Sequence, residues 1–185
     1  MRFDDDPRPI VTERLHLRRS EAADAETISA YRSDPEVHRY QGWERTDPEG
    51  VREEIVEMGE RRPGEPGWVQ YSVDELDSGR LVGDVGLSPA DDEHGVIKIG
   101  YTMAPSAQGR GYATEAVRAL VAYAFDVLEA DVVRAFASAE NIPSIRVAEK
   151  AGLVLVERFE RTYGGETWQG VRFERRREGT VASAG

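Results

Sequence analysis

The sequence contains no cysteine. That excludes disulfides, thiolate metal sites and a cysteine nucleophile, and it fits a cytoplasmic setting. No apolar run approaches the ~20 residues needed to cross a bilayer. The opening segment "MRFDDDPRPI" is acidic and lacks an apolar core, so no signal peptide is expected. Positive charge is scarce: 24 Lys and Arg stand against 35 Asp and Glu, a formal net charge of −11. A field of that sign repels nucleic acid, whose binding rests on Lys and Arg against phosphate. It suits cationic small molecules or basic peptides, and it also serves solubility alone. His16, His38 and His94 show no H-E-x-x-H spacing, so no metal site is expected. No Gly-Lys-Ser/Thr occurs either, which excludes a Walker A loop.

What is present reads as one domain. A chain of 185 residues is long enough to bury a full core, and no repeat or inner linker divides it. The expected boundaries are an N-terminal extension over 1–10, a domain over 11–177 and a flexible tail over 178–185. Leu15 and Leu17 alternate with His16 and Arg18, predicting a strand over 14–19. A helix is predicted over 21–33, stopped by Asp34-Pro35. Asp47-Pro48 starts another, with Val51, Ile55 and Met58 at helical spacing. Strands are predicted over 68–75, 81–87 and 95–103, the first two joined at Asp77-Ser78-Gly79. A helix over 114–128 carries the stripe Ala116, Val117, Leu120, Val121 and Ala124. A strand over 132–138, a helix over 141–151 ending at Gly152, and strands over 153–161 and 168–174 complete the order. This is an α/β domain with a mixed sheet and a meander of early strands, not a doubly wound parallel fold.

One segment concentrates the chemical signal: "SAQGRGYATEAVRALVAYAF", Ser106–Phe125. It places Gly109 and Gly111 between a strand and a helix. The first turn of a helix has N–H groups without intrahelical partners, and the helix dipole adds positive potential there. Glycines at its mouth let an anion approach the backbone, so the stretch reads as a phosphate site. It does not spell a dinucleotide fingerprint, because Thr114 stands where G-x-G-x-x-G/A needs Gly or Ala.

The wider spelling is more specific. "GYTMAPSAQGRGYATEAVRALVAYAF" resembles motif A of the GNAT acetyltransferase superfamily, Q/R-x-x-G-x-G/A, here Gln108-Gly109-Arg110-Gly111-Tyr112-Ala113. Thr12–Tyr40 looks like the N-terminal block of the RimJ/RimL-type branch, and "NIPSIRVAEKAGL" (Asn141–Leu153) is similar to that branch's N-x-x-S-x-R-V-x-E-K-x-G-F block, with Leu153 for phenylalanine. The resemblance covers almost the whole chain. It implies a single-domain GNAT fold, a mixed and mostly antiparallel sheet of about six to seven strands with flanking helices. It also implies acetyl-CoA as cosubstrate, a primary-amine acceptor (a protein N-terminus or a small amine) and no metal. By analogy alone it allows a homodimer.

By the same analogy the amides of Gln108, Gly109, Arg110, Gly111, Tyr112, Ala113 and Thr114 hold the pyrophosphate. The pantetheine arm lies where a bulge in the strand ending Tyr101-Thr102-Met103 splays it from the strand over 132–138, pairing with backbone at Thr102 and Met103. The Met103 amide is placed to polarise the thioester oxygen. Asn141 is implied as a partner of the arm, and as a residue type it also reads as a helix N-cap. Many members carry an acid tyrosine seven residues after this asparagine; here that position is Ala148. The branch has a serine three residues after it, so Ser144 is the expected leaving-group acid, or else a cap beside Pro143. Asp84, Glu166 and Glu44 are the candidate carboxylates for base or substrate, each with an alternative as a surface or fold-stabilising group. Tyr40, Trp43 and Tyr71 are candidates to line an acceptor pocket, or are core. The missing tyrosine also leaves open a catalytically idle acetyl-CoA-binding sensor.

Overall fold

A computed structural model describes residues 10–91, 93–163 and 166–179. Eight strands form one sheet in the order β1-β2-β3-β4-β5-β6-β8-β7. They are β1 (Ile10–Val11), β2 (Leu15–Arg19), β3 (Val69–Glu75), β4 (Leu81–Pro89), β5 (Val96–Met103), β6 (Val132–Ser138), β7 (Val154–Tyr163) and β8 (Glu166–Arg176). All neighbours are antiparallel except β5 and β6, which run parallel. The sheet has one strand more than the six to seven expected. The extra strand is β1, two residues long and too short to show a period. Ile10, assigned above to the extension, pairs with Leu17.

Among the described residues five α-helices complete the fold: α1 (Ala25–Arg32), α2 (Pro35–His38), α3 (Pro48–Gly59), α4 (Tyr112–Asp126) and α5 (Ile142–Lys150). The helix expected over 21–33 is split. Asp24 turns inward, taking hydrogen bonds from Arg18, Ser72 and the Glu21 amide, and a 3-10 turn over Ala22–Asp24 precedes α1. Asp34-Pro35 stops α1 as predicted, but the same pair opens α2, with Asp34 accepting the Glu36 amide. Asp47 caps α3 through the Gly50 amide with Pro48 in the first turn, as its sequence predicts.

The main core lies between the sheet and α4. Ala116, Val117, Leu120, Val121 and Ala124 pack with Val85, Leu87, Ile99, Val133 and Phe173. Burying each large aliphatic side chain stabilises by about 1.5–3 kcal/mol. A second cluster, Ala25, Ile28, Tyr31, Val37, Val51 and Ile55, joins α1, α2 and α3. Strand alternation puts it on the other face: Gln70 and Asp84, which α1 touches through Arg32 and Tyr31, alternate with Val69, Tyr71 and Val85 of the main core. Thr180–Gly185, expected as a tail, lies outside the described residues.

Candidate active site

The central irregularity of the sheet is between its two parallel strands. Pairing of β5 with β6 covers Val96–Ile99 against Val132–Ala135 and then stops. Yet β5 runs on to Met103, held by β4 as far as Gly83↔Met103, and β6 runs on to Ser138, held by β8. The strands therefore part beyond Ile99. The Ala104 amide donates to the Val82 carbonyl at 2.9 Å. In an antiparallel ladder this fixes the alternation: Thr102 turns its backbone groups toward β4, while Tyr101 and Met103 turn theirs toward the gap. The splay expected from the resemblance is present, with two corrections: the β4–β5 register runs without a shift through Tyr101-Thr102-Met103, so no bulge produces it, and the backbone groups on offer differ. Met103 offers main chain to the gap, whereas the backbone of Thr102 is taken up by β4 and its side chain stands beside Gln41.

The gap opens into a cleft of about 640 Å³. Its walls include Tyr101, Thr102 and Met103 of β5, the loop and first turn of α4, and Asn141, Ser144 and Arg146 of α5. Glu36, Tyr40 and Gln41, around α2, line it as well. In the loop, Gly109 and Gly111 have φ of +74° and +82°. These left-handed conformations suit glycine and penalise every branched residue. Their first physical cause is therefore backbone geometry, and an unobstructed backbone comes with it: no atom lies within 4 Å of where a Cβ on Gly109 would be. Gly111 is the N-cap of α4 and makes no side-chain cap. The α4 N–H groups thus face the cleft without a capping side chain. The helix begins at Tyr112, two residues before the predicted Thr114.

Gln108, Gly109, Gly111, Tyr112, Ala113 and Thr114 all line the cleft; Arg110 does not. Its guanidinium turns away to Glu75 at 2.9 Å. The Tyr112 ring is likewise buried in the main core. Gln108 closes the loop onto the strand, its Nε2 donating to the Met103 carbonyl at 3.2 Å.

Across the gap, Asn141 caps α5, accepting the Ser144 amide at 3.2 Å. The cap expected of it is thus observed, and its NH₂ keeps two donors for another partner. The Ser144 hydroxyl donates to the Tyr101 phenol oxygen at 3.0 Å, and that phenol donates to the Ser144 carbonyl at 2.9 Å. Burial pushes the Tyr101 phenol above its usual value, so it stays protonated at neutral pH. Ala148 is 2% exposed and packs in the core. Tyr101 was not singled out by its sequence, because its alternation with Ile97, Ile99 and Met103 marks it as core.

Asp84 does not reach the cleft surface. It is 7% exposed, sits opposite Thr102 in the β4–β5 register and accepts the Tyr31 hydroxyl. Burial pushes its carboxyl above the usual range, against the opposing pull of Arg32 and of its hydrogen bonds. Glu44 is exposed and off the cleft. Glu166 opens β8, and its side chain lies outside the described residues. Of the aromatic candidates Tyr40 lines the cleft. Tyr71 is core, and Trp43 packs against the α1–α3 cluster under the Arg32 guanidinium. Among the described residues Glu36 is the one carboxylate in the cleft wall. Among them, too, no cluster of three or more His, Asp or Glu is placed to hold a metal, and no helix is long and apolar enough to cross a membrane.

A mixed sheet parted between its parallel strands, with a glycine loop feeding a helix N-terminus beside the gap, defines an acyl-CoA-dependent acyltransferase scaffold. Residues 14–154 match the acetyltransferase (GNAT) domain, and the chain belongs to that family. It is similar to the uncharacterized N-acetyltransferase YnaD of Bacillus subtilis, 31% identical over 163 residues, 86% of this chain and 91% of that one. Its fold is similar to a GNAT-family acetyltransferase from Bacillus anthracis, with TM-score 0.78, 28% identity, and 91% of this chain and 98% of that one covered. The RimL ribosomal L7/L12 alpha-N-protein acetyltransferase in complex with coenzyme A has the same fold, with TM-score 0.77 at 16% identity over 90% of this chain and 96% of that one.

Proposed function

We propose that this N-acetyltransferase binds acetyl-CoA with its pyrophosphate on the amides of the Gln108–Thr114 stretch and its pantetheine arm in the β5–β6 gap. One observation carries the reading. The backbone groups of Tyr101 and Met103 face a gap instead of a strand, and that gap leads to a helix N-terminus with no side-chain cap. Polar main chain so placed calls for an extended polar partner followed by an anion. An amide-containing arm ending in a pyrophosphate has both. Asn141 gives its NH₂ to the arm.

Acetyl-CoA supplies the activated acetyl group, and the protein's residues set the geometry of direct transfer to a neutral amine. The Met103 N–H donates to the thioester oxygen as charge gathers there. Ser144 turns its hydroxyl to the departing sulfur and stabilises it as a thiolate, which takes its proton from solvent, while Tyr101 holds Ser144 in place through its carbonyl. The proton shed by the amine leaves toward Asp84 through a water, since Asp84 stands one strand behind the wall formed by Thr102. Its raised pKa makes it a better base than an ordinary carboxylate. With no stronger base in the wall, the site suits an acceptor that is already partly neutral at pH 7. An α-amino group near pKa 8 meets that condition better than a lysine-type amine near 10.4. The preferred acceptor is therefore a protein or peptide N-terminus, with small amines of low pKa second.

The test is CoA release from acetyl-CoA across a panel of peptides and amines. Turnover fastest with α-amino acceptors supports the reading. Saturable acetyl-CoA binding with no turnover on any acceptor assigns the chain to the sensor alternative instead.

A further inference from the structure

The anion loop has little of its own to hold it in shape. Two of its residues are glycines, its N-cap makes no side-chain bond, and both glycines sit at positive φ. Its fixed shape has an external source. Arg110 and Tyr112, the neighbours of Gly111, both send their side chains out of the cleft to Glu75, the last residue of β3. Oε1 of Glu75 accepts the Tyr112 hydroxyl and the Arg110 guanidinium, the latter at 2.9 Å. Its Oε2 accepts Ser78 Oγ at 2.7 Å in the β3–β4 turn. The Glu75 side chain is 12% exposed, while Arg110 and Ser78 reach it from the exposed side.

Arg14 holds the same loop from the other side. Its Nη1 donates to the Arg110 carbonyl at 3.0 Å, and its Nη2 pairs with Glu115, in the first turn of α4, at 2.6 Å. The guanidinium carbons of Arg14 and Arg110 lie 4.8 and 4.7 Å from the centre of the Tyr112 ring. Arg14 and Glu75 are themselves tied, because the Leu76 amide donates to the Arg14 carbonyl at 2.9 Å. The result is a clasp of Glu75, Arg14, Arg110, Tyr112 and Glu115 outside the cleft, closed around Gly111.

We propose that Glu75 and Arg14 are positioning residues for acetyl-CoA: through Arg110 and Tyr112 they hold the Gly109–Tyr112 backbone in the one arrangement that presents its amides to the pyrophosphate. This rests on the site reading above. Neither residue lines the cleft that takes the arm, although Arg14 reaches the adjoining pocket beside Gly111 and Thr114. Each lowers the ordering cost of binding by presetting the loop, which is how preorganisation contributes to affinity. Releasing the clasp therefore weakens acetyl-CoA binding and leaves the reacting end, across the cleft at Ser144, as it was.

The experiment compares Glu75→Gln, Tyr112→Phe and Gly111→Val with the unaltered enzyme, reading acetyl-CoA affinity by calorimetry, KM for both substrates, kcat and Tm. Glu75→Gln keeps the shape and loses the charge; Tyr112→Phe keeps the buried ring and loses one hydroxyl. The expected result for each is a KM and Kd for acetyl-CoA raised roughly fivefold to twentyfold. Acceptor KM and kcat at saturating acetyl-CoA stay within about twofold, and combining Glu75→Gln with Tyr112→Phe in one chain is less than additive. Unchanged acetyl-CoA affinity in both clasp variants overturns the proposal, provided Gly111→Val still lowers it by about a hundredfold. An equal rise of both KM values with a falling Tm also overturns it, because that is the signature of general loosening. If Gly111→Val leaves affinity intact, the site reading fails and the clasp falls with it.

Discussion

At the Gly109–Thr114 end of the cleft the groups proposed to bind are backbone amides; at the Glu36–Gln41 and Ser144 ends they are side chains. The first end is shaped by two left-handed glycines and fixed from outside by Glu75 and Arg14. The second is a set of hydroxyl, phenol and amide groups brought together from β5, α2 and α5. The difference follows from the ligands. A pyrophosphate is the same in every turnover, so main chain suffices, and main chain does not vary with side-chain identity. The acceptor and the proton transfers need particular chemical groups, and those come from side chains. Substitutions at the two ends should therefore fail in different ways.

The largest effect is expected at the backbone end. Gly111→Val puts a β-branched residue at φ +82°. That strain, on the order of 1–3 kcal/mol, either distorts the loop or is relieved by moving it, so acetyl-CoA affinity should fall by about a hundredfold in a calorimetric titration. Ser144→Ala comes next and should show the opposite split. Its kcat is expected to fall by roughly tenfold to a hundredfold, with acetyl-CoA affinity within about twofold. Loss of affinity with kcat intact would remove the contrast between the ends.

Asp84→Asn should have a smaller effect, because the role proposed for Asp84 runs through an intervening water. A fall in kcat/KM of about fivefold is expected, along with loss of the acidic limb of the pH–rate profile. Stability should move the other way. A carboxyl whose folded pKa is raised costs the folded state progressively more as pH climbs from its ordinary value through that folded pKa. Asparagine removes that cost, so the Tm difference between variant and parent should favour the variant more at pH 8 than at pH 5. An unchanged pH–rate profile would leave Asp84 only its part in anchoring Tyr31.

The smallest expected effect concerns Glu75 and acid. Hydrogen bonds from Ser78 and Tyr112, with Arg110 and Arg80 nearby, hold its carboxyl down to about 2, from an ordinary value of 4.5. A depressed carboxyl stabilises fully above its unfolded pKa and loses that contribution as pH falls through the folded one. The Tm gap between the parent and Glu75→Gln should be constant from pH 8 to about 5 and close as pH drops toward 2. A gap that persists at pH 2 would mean the charge is not what the substitution removes.

The elements with a clear period were legible from residue order alone. The α4 stripe, the β3–β4 hairpin and the Asp47-Pro48 start of α3 each rest on interactions within a few residues. So did the anion loop, since a glycine pair before a helix is a local signal. The cause of its glycines was not legible: residue types suggest room for an anion, whereas positive φ is a property of the folded backbone. The Glu75–Tyr112 and Tyr101–Ser144 bonds join residues 37 and 43 positions apart, and no local pattern encodes either. Tyr101 shows the difficulty. Its alternation with Ile97 and Ile99 is that of a core residue, and it meets the cleft only because β6 departs at Ile99. Tyr71 shows the converse, an aromatic candidate for the pocket that the main core claimed.

The central claim is that backbone around Gly111 binds the pyrophosphate while the β5–β6 gap binds the arm. Titrating acetyl-CoA and S-acetylpantetheine, which lacks the pyrophosphate, into the parent and Gly111→Val tests it most directly. The account predicts an acetyl-CoA affinity lowered by about a hundredfold and an S-acetylpantetheine affinity within about threefold of the parent. Equal losses for both ligands, or none for either, would contradict it.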